Sequence, residues 1–138
     1  MIDLGHILHR LAQGTRGSAS VEMALTLPLV FTLSFAAVEF GRVNMIRNSM
    51  ENADYEGARQ GIVPGTTAAD CIAASSSLLQ AVGVQAFDVQ VDPTTIEDDT
   101  PQVTVSVSAA LDANSFVAHT FFDGETMTRA TTLTREVP

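Results

Sequence analysis

The chain has no lysine, no tryptophan, a single tyrosine and a single cysteine, and each shortage closes a class of function. Without lysine, and with a net charge of −9, it cannot present the basic stripe that neutralises nucleic-acid phosphates. One Tyr and no Trp leave little for an aromatic ligand cage or a base-stacking platform. Cys71 alone allows neither an intrachain disulfide nor a cysteine zinc cluster. The charge is uneven: from Asp70 onward there are ten carboxylates against Arg129 and Arg135, which describes a soluble acidic surface. At 138 residues the chain holds one domain and an anchor.

What is present is concentrated near the N-terminus. Arg16-Gly17-Ser18-Ala19-Ser20-Val21-Glu22 runs into an apolar stretch from Met23 to Val38. A carboxylate deep in hydrocarbon costs at least about 2.5–3.5 kcal/mol, so Glu22 either stays at the interface or takes a partner. Cutting after Gly17 would put a new α-amine on Ser18, one helical turn from Glu22. Ala19 to Phe40 makes roughly 33 Å of helix, enough for a bilayer core of about 30 Å. Glu22 and Glu39 lie near its ends, and Pro28 is a kink that spans tolerate. The rival reading is a removed secretory signal, with Ser34-Phe35-Ala36 as the small residues before the cut. A leader of some 22 residues that contains Glu22 favours a retained span. Arg10 and Arg16 before the span balance Arg42 and Arg47 after it. His6 and His9, and the shortness of the leader, place the N-terminus inside and the C-terminal domain outside.

Helical periodicity continues past the span. Val43, Ile46, Met50, Ala53 and Gly57 recur at steps of three and four and predict one apolar seam. That seam is read as packing between helix and sheet, with a groove for another subunit as the alternative, since Ala53, Gly57, Ala58 and Gly61 would let a second backbone come close. Pro64-Gly65 stops the helix near Ile62, so a single helix from about Ser18 would run about 65 Å.

This N-terminal segment resembles the TadE-like proteins, minor pseudopilins of the tight-adherence (Flp) pilus system. The resemblance is carried by Gly17 with Glu22, the span with its internal Pro, Val38-Glu39-Phe40-Gly41-Arg42, and Asn52-Ala53 followed by Glu56-Gly57-Ala58-Arg59. It covers about Arg16 to Gly61, and the close from Arg129 to Glu136 is similar to that family's last strand. Met23 departs from the aromatic residue common after this Glu. The resemblance implies a leader (1–17) removed after Gly17 by a prepilin peptidase, a transmembrane and extended helix (18–62) and an acidic head (63–138). It implies residence in the bacterial inner membrane and partnership with other pilins through the N-terminal helix, with the pilus assembly platform and with lipid. Glu22 would set register by pairing with the Ser18 amine of a neighbour. The competing function is a secreted or singly anchored acidic binding domain behind a conventional signal. Glu39 and Arg42, three apart on a helix, read as an ordinary surface pair at the outer edge of the span.

The rest predicts an α+β head. Thr67 to Val82 reads as a helix with Thr67 and Asp70 as a capping box, Gly83 beyond its end, and a stripe of Ala68, Cys71, Ile72, Leu78, Leu79 and Val82. Cys71 on that stripe is a buried small hydrophobe. Phe87–Val91 and Val103–Leu111 alternate as strands joined by a long acidic loop, and Thr126–Thr134 forms a third after Asp123-Gly124. Phe116 to Phe122 reads as a helical turn. The fold expected is a three-stranded antiparallel sheet laid on the long helix and packed by a second helix. Asp92, Glu97, Asp98 and Asp99 lack the spacing and Gly of an EF-hand and read as a solvated loop, not a Ca²⁺ site. His119 near Asp112 and Asp123 has no nucleophile or phosphate loop beside it, so the head is not read as an enzyme and needs no cofactor.

Overall fold

The computed structural model describes the backbone of residues 4–115 and 124–136, with side chains from Gly17 onward. Its elements are α1 (Leu4–Gly61), α2 (Ala68–Ala81), β1 (Phe87–Asp92), β2 (Gln102–Ala110), α3 (Leu111–Asn114) and β3 (Thr126–Thr134). The chain divides into an N-terminal unit, through Val38, and a head from Glu39 onward. The fold is α+β, as the alternating and helical patterns predict. The expected turn at Phe116–Phe122, together with His119 and Asp123, lies outside the described residues.

Helix α1 begins earlier than the apolar pattern indicates, at Leu4 rather than near Ser18. Residues 4–13 contain Leu, Ile, Arg, Ala and Gln but no Pro, so nothing in them stops a helix. Its other end is as expected. Gly61 closes the helix, the Val63 N–H reaches back to the Gln60 carbonyl at 3.1 Å, and Gly65 takes a positive φ of 80°.

Helix α2 starts on the predicted capping box. The Thr67 hydroxyl accepts from the Asp70 N–H, and the Asp70 carboxylate accepts from the Thr67 N–H at 2.9 Å. The Thr67 hydroxyl also donates to the Asp70 carboxylate at 2.7 Å, and that bond first, then the one from the Thr67 N–H, holds the Asp70 carboxyl below its usual range. At the other end, the Gly83 N–H donates to the Gln80 carbonyl and the Val84 N–H to the Leu79 carbonyl, the two bonds of a Schellman motif. Gly83 takes a φ of +76°, and Val84 and Leu79 are both buried in one core cluster.

The sheet order is β1-β2-β3, antiparallel throughout. Val105 stands between Val91 and Thr131, and Val107 between Val89 and Arg129. The alternation in β2 buries Val103, Val105, Val107 and Ala109 against the helices. Opposite them, Thr104 and Thr132 share a hydroxyl hydrogen bond of 2.8 Å on the outer face. Leu111, expected to end β2, instead opens the single turn α3, where its N–H donates to the Glu125 carbonyl at 2.9 Å.

The core forms two adjoining clusters. Ile46, Met50 and Ala53 of α1 meet Leu79, Val84, Val107 and Ala109, while Ala58 meets Cys71, Val91, Val103 and Val105. The buried stripe of α2 is Cys71, Ser75 and Leu79, whereas Ile72 and Val82, expected on it, are exposed. Ser75 belongs there because α1 is glycine at the facing position. Its hydroxyl donates to the Ala53 carbonyl at 2.9 Å, and a Cβ on Gly57 would fall 2.1 Å from the same oxygen. Gly61 is crowded in the same way by Val103 and the Cys71 sulfur. Small residues thus set how closely α1 and α2 approach. The Cys71 thiol is fully buried, and burial pushes its pKa up, as expected of a packed, unreactive side chain.

Candidate anchoring and assembly site

In the N-terminal unit, Gly17, Ser18 and Glu22 lie on one exposed stretch of α1. Gly17 is helical, whereas a scissile glycine reads as extended backbone. Glycine is also where a helix is weakest, by about 1 kcal/mol relative to alanine, and Gly14 and Gly17 bracket the segment. No heavy atom lies within 4 Å of a Cβ built on Gly17, so the fold itself accepts a methyl group there. Glu22 follows Ser18 by one turn and accepts the Thr26 hydroxyl on its main-chain carbonyl at 2.7 Å.

Beyond Glu22 the helix is apolar on every side. Eleven large hydrophobic residues from Val21 to Phe40 are exposed, Leu25 at 73% and Phe40 at 71% among them. At about 1.5–3 kcal/mol for covering each such side chain, their transfer from water is worth on the order of 20 kcal/mol. That exceeds the whole stability of a typical domain, about 5–15 kcal/mol, so this surface requires a cover. The most apolar 18-residue window has a mean hydropathy of 1.9, and none of it is buried within the chain. The hydroxyls inside this stretch are already satisfied. Thr32 donates to the Pro28 carbonyl and Ser34 to the Val30 carbonyl, each at 2.8 Å. A helix of this length and composition, with its polar groups folded back on itself, fits a membrane anchor.

One family comparison bears on this stretch of α1. The family model for TadE-like protein matches residues 17–59. Those residues are similar to the TadE-like family. TadE-like proteins are components of the Tad pilus system and are not known as an enzyme family, and the match suggests a pilus-associated protein. No curated protein and no solved structure matches the chain.

The TadE-like segment covers the apolar run and most of the head's share of α1. In the head, Ile46, Met50, Ala53 and Gly57 face the chain's own α2 and sheet, with Val43 half-buried at the margin. Glu56 and Arg59 form an exposed pair with two bonds, at 2.7 and 3.0 Å. This pairing holds the Glu56 carboxyl low.

Glu39 and Arg42 correct the sequence reading. Glu39 is only 8% exposed, and its carboxylate accepts the Ser115 hydroxyl. Arg42 is half-buried and donates through Nε to the Asn114 carbonyl. The partners lie more than 70 positions away in sequence, so a periodicity argument along one helix could not find them. Asn114 is itself buried and clamps the residues before β1. Its Oδ1 accepts from the Gln85 N–H at 2.7 Å, while its Nδ2 donates to the carbonyls of Gln85 at 2.5 Å and Ala110 at 2.8 Å.

A second polar group on α1 faces β3. Glu51 accepts from Arg47 at 3.0 Å and Arg129 at 3.2 Å, and the Arg47 bond is the first cause of its lowered pKa. One turn on, Asp54 is buried and accepts the Thr131 hydroxyl at 2.9 Å. Burial pushes its carboxyl above the ordinary range, only partly offset by that bond. The sequence reading did not single out Asp54; the Thr-rich pattern of β3 is the one local sign of a hydroxyl partner.

The acidic loop after β1 is fastened from beneath. The Arg135 guanidinium donates to the Glu97 carbonyl, and the Glu97 N–H donates to the Thr100 hydroxyl at 2.9 Å. Among the described residues no three His, Cys, Asp or Glu side chains are grouped to hold a metal ion.

Proposed function

We propose that this chain is a membrane-anchored pseudopilin that takes part in assembling Tad pili and in the adhesion and secretion they serve. A prepilin peptidase removes the leader after Gly17, and the segment from Ala19 to Phe40 holds the protein in the inner membrane with its head outside. The observation that carries the reading is an uncovered apolar helix in a TadE-like segment, preceded by Gly17 and opened by Glu22.

Cleavage would turn Ser18 into the start of the helix. Its charged α-amine and the three unpaired amide N–H groups that follow would then present positive charge, and a carboxylate close to that end is favoured there. Glu22 stands at that place. Between packed helices of neighbouring subunits, its carboxylate meeting a Ser18 amine neutralises both groups in a low dielectric and fixes their stagger. Lateral contacts to other pilins and to the assembly platform fall on the apolar helix, because the seam beyond it is occupied by the chain's own core.

Sequencing the N-terminus of the mature protein tests this. A start at Ser18 is expected, and a start near Ala37 would replace the reading with a conventionally secreted acidic domain. Gly17→Ala, which the fold accommodates, is expected to leave the leader attached. Normal processing of that variant counts against a prepilin peptidase site.

A further inference from the structure

We propose that Glu39 and Arg42 form a releasable latch that couples the first turn of the head to one end of the β1–β2 pair, where β1 begins and β2 finishes. The structure puts three links in series. Glu39 and Arg42 hold Ser115 and Asn114, Asn114 holds Gln85 and Ala110, and the Ala110 N–H donates to the Ala86 carbonyl at 3.2 Å. Gln85 and Ala86 lead into β1, and Ala110 ends β2, so one buried amide side chain joins the two strands where they finish pairing.

The links at this end of the sheet lie outside the two apolar clusters. The middle of the sheet and α2 meet α1 through the buried clusters of Ile46, Met50 and Ala53, to which Ser75, Asp54 and Glu51 add polar bonds, whereas the bonds described between α1 and residues 110–115 come from a carboxylate and a guanidinium. Hydrogen bonds to charged groups are directional and are lost one at a time, while the apolar clusters are lost only as units. Ala86 is also held at a φ of +47°, a conformation that alanine leaves readily once its surroundings stop imposing it. Opening the latch therefore frees residues 85–86 and 110–115 while Val103–Ala109 stays packed. The latch sits on the turn that directly follows the apolar run. This goes beyond the pilus reading and does not depend on it.

The test is residue-resolved amide hydrogen exchange on the full chain in detergent, comparing the wild type with Glu39→Gln, Arg42→Gln and their double variant. The amides of Gln85, Ala110 and Leu111 are expected to exchange about tenfold faster or more in the double variant. Those of Leu79, Val105 and Val107 should keep their wild-type rates. Ser115→Ala, which leaves α1 untouched, should reproduce a smaller acceleration at the same amides. Unchanged exchange at Gln85 and Ala110 would overturn the latch. So would a uniform acceleration across the core, which would make these bonds part of one cooperative fold.

Discussion

Replacing Gly57 with alanine tests the head's packing at its tightest point. A methyl group there meets the Ser75 hydroxyl oxygen at 2.1 Å and the Cys71 carbonyl and a Val105 methyl at 3.1 Å. The carbonyl is main chain of α2 and cannot rotate away. Ser75 can, at the cost of its bond to the Ala53 carbonyl. Overpacking a core by one carbon costs about 1–3 kcal/mol, and the lost hydroxyl bond adds about 1 kcal/mol. Against these, alanine is favoured over glycine within a helix by about 1 kcal/mol. The expected net loss is about 1–3 kcal/mol, or roughly 5–20 °C in the melting temperature of a head this size. Thermal unfolding in detergent, followed by circular dichroism, measures it. Gly41→Ala is the control, because nothing lies within 4 Å of its added Cβ; it should be neutral or slightly stabilising. A double-mutant cycle with Ser75→Ala sharpens the result. Removing the hydroxyl removes the shortest contact, so Gly57→Ala should cost about 1 kcal/mol less in that background. A Gly57→Ala protein as stable as wild type, or a cycle without coupling, would refute the close approach of α1 and α2.

Three further outcomes follow from the same contacts. Burial raises the Asp54 pKa in the folded head, so folding favours its protonated form, and that contribution is present below the unfolded pKa and lost as pH rises through the folded one. Asp54→Asn, which keeps a polar partner for Thr131, should therefore stabilise the head at neutral pH. The gain should fade on acidification through the carboxylate range, as read by chemical denaturation at several pH values. Thr67→Ala removes the hydroxyl of the α2 capping box and should cost about 1 kcal/mol in the same assay. Cys71 should resist alkylation by a maleimide until the head unfolds, and labelling of the native protein at the rate of a free thiol would contradict its burial.

Much of the head was legible because its signals are local. Thr67 and Asp70 are three apart, Gly83 stands where a helix must reverse, and the β3 boundaries follow from Thr-rich alternation after Asp123-Gly124. The misses share a different cause. Ser75 looks polar and therefore exposed, and only the glycine opposite it, 18 residues earlier, explains its burial. Leu111 continues the β2 alternation, yet Glu125, distant in sequence, captures its N–H and turns the chain. Glu39 looks like a surface charge until Ser115 is placed beside it. At the anchoring site, the order of Gly17, Glu22 and the apolar run is legible without coordinates. The burial of Glu39 and Asp54 is not, because it depends on which strand or loop returns to cover each of them.

The back-bonded hydroxyls of the anchor have a consequence for how such helices choose neighbours. Thr26, Thr32 and Ser34 spend their donors on carbonyls of their own helix, which leaves little polar adhesive for an adjoining helix. Over that stretch, neighbours can be told apart only by shape, and shape alone permits one helix to slide along another in steps of a turn. Glu22, at the end of the stretch, can remove that degeneracy. An assembly built this way would be slippery along its length and indexed at one end.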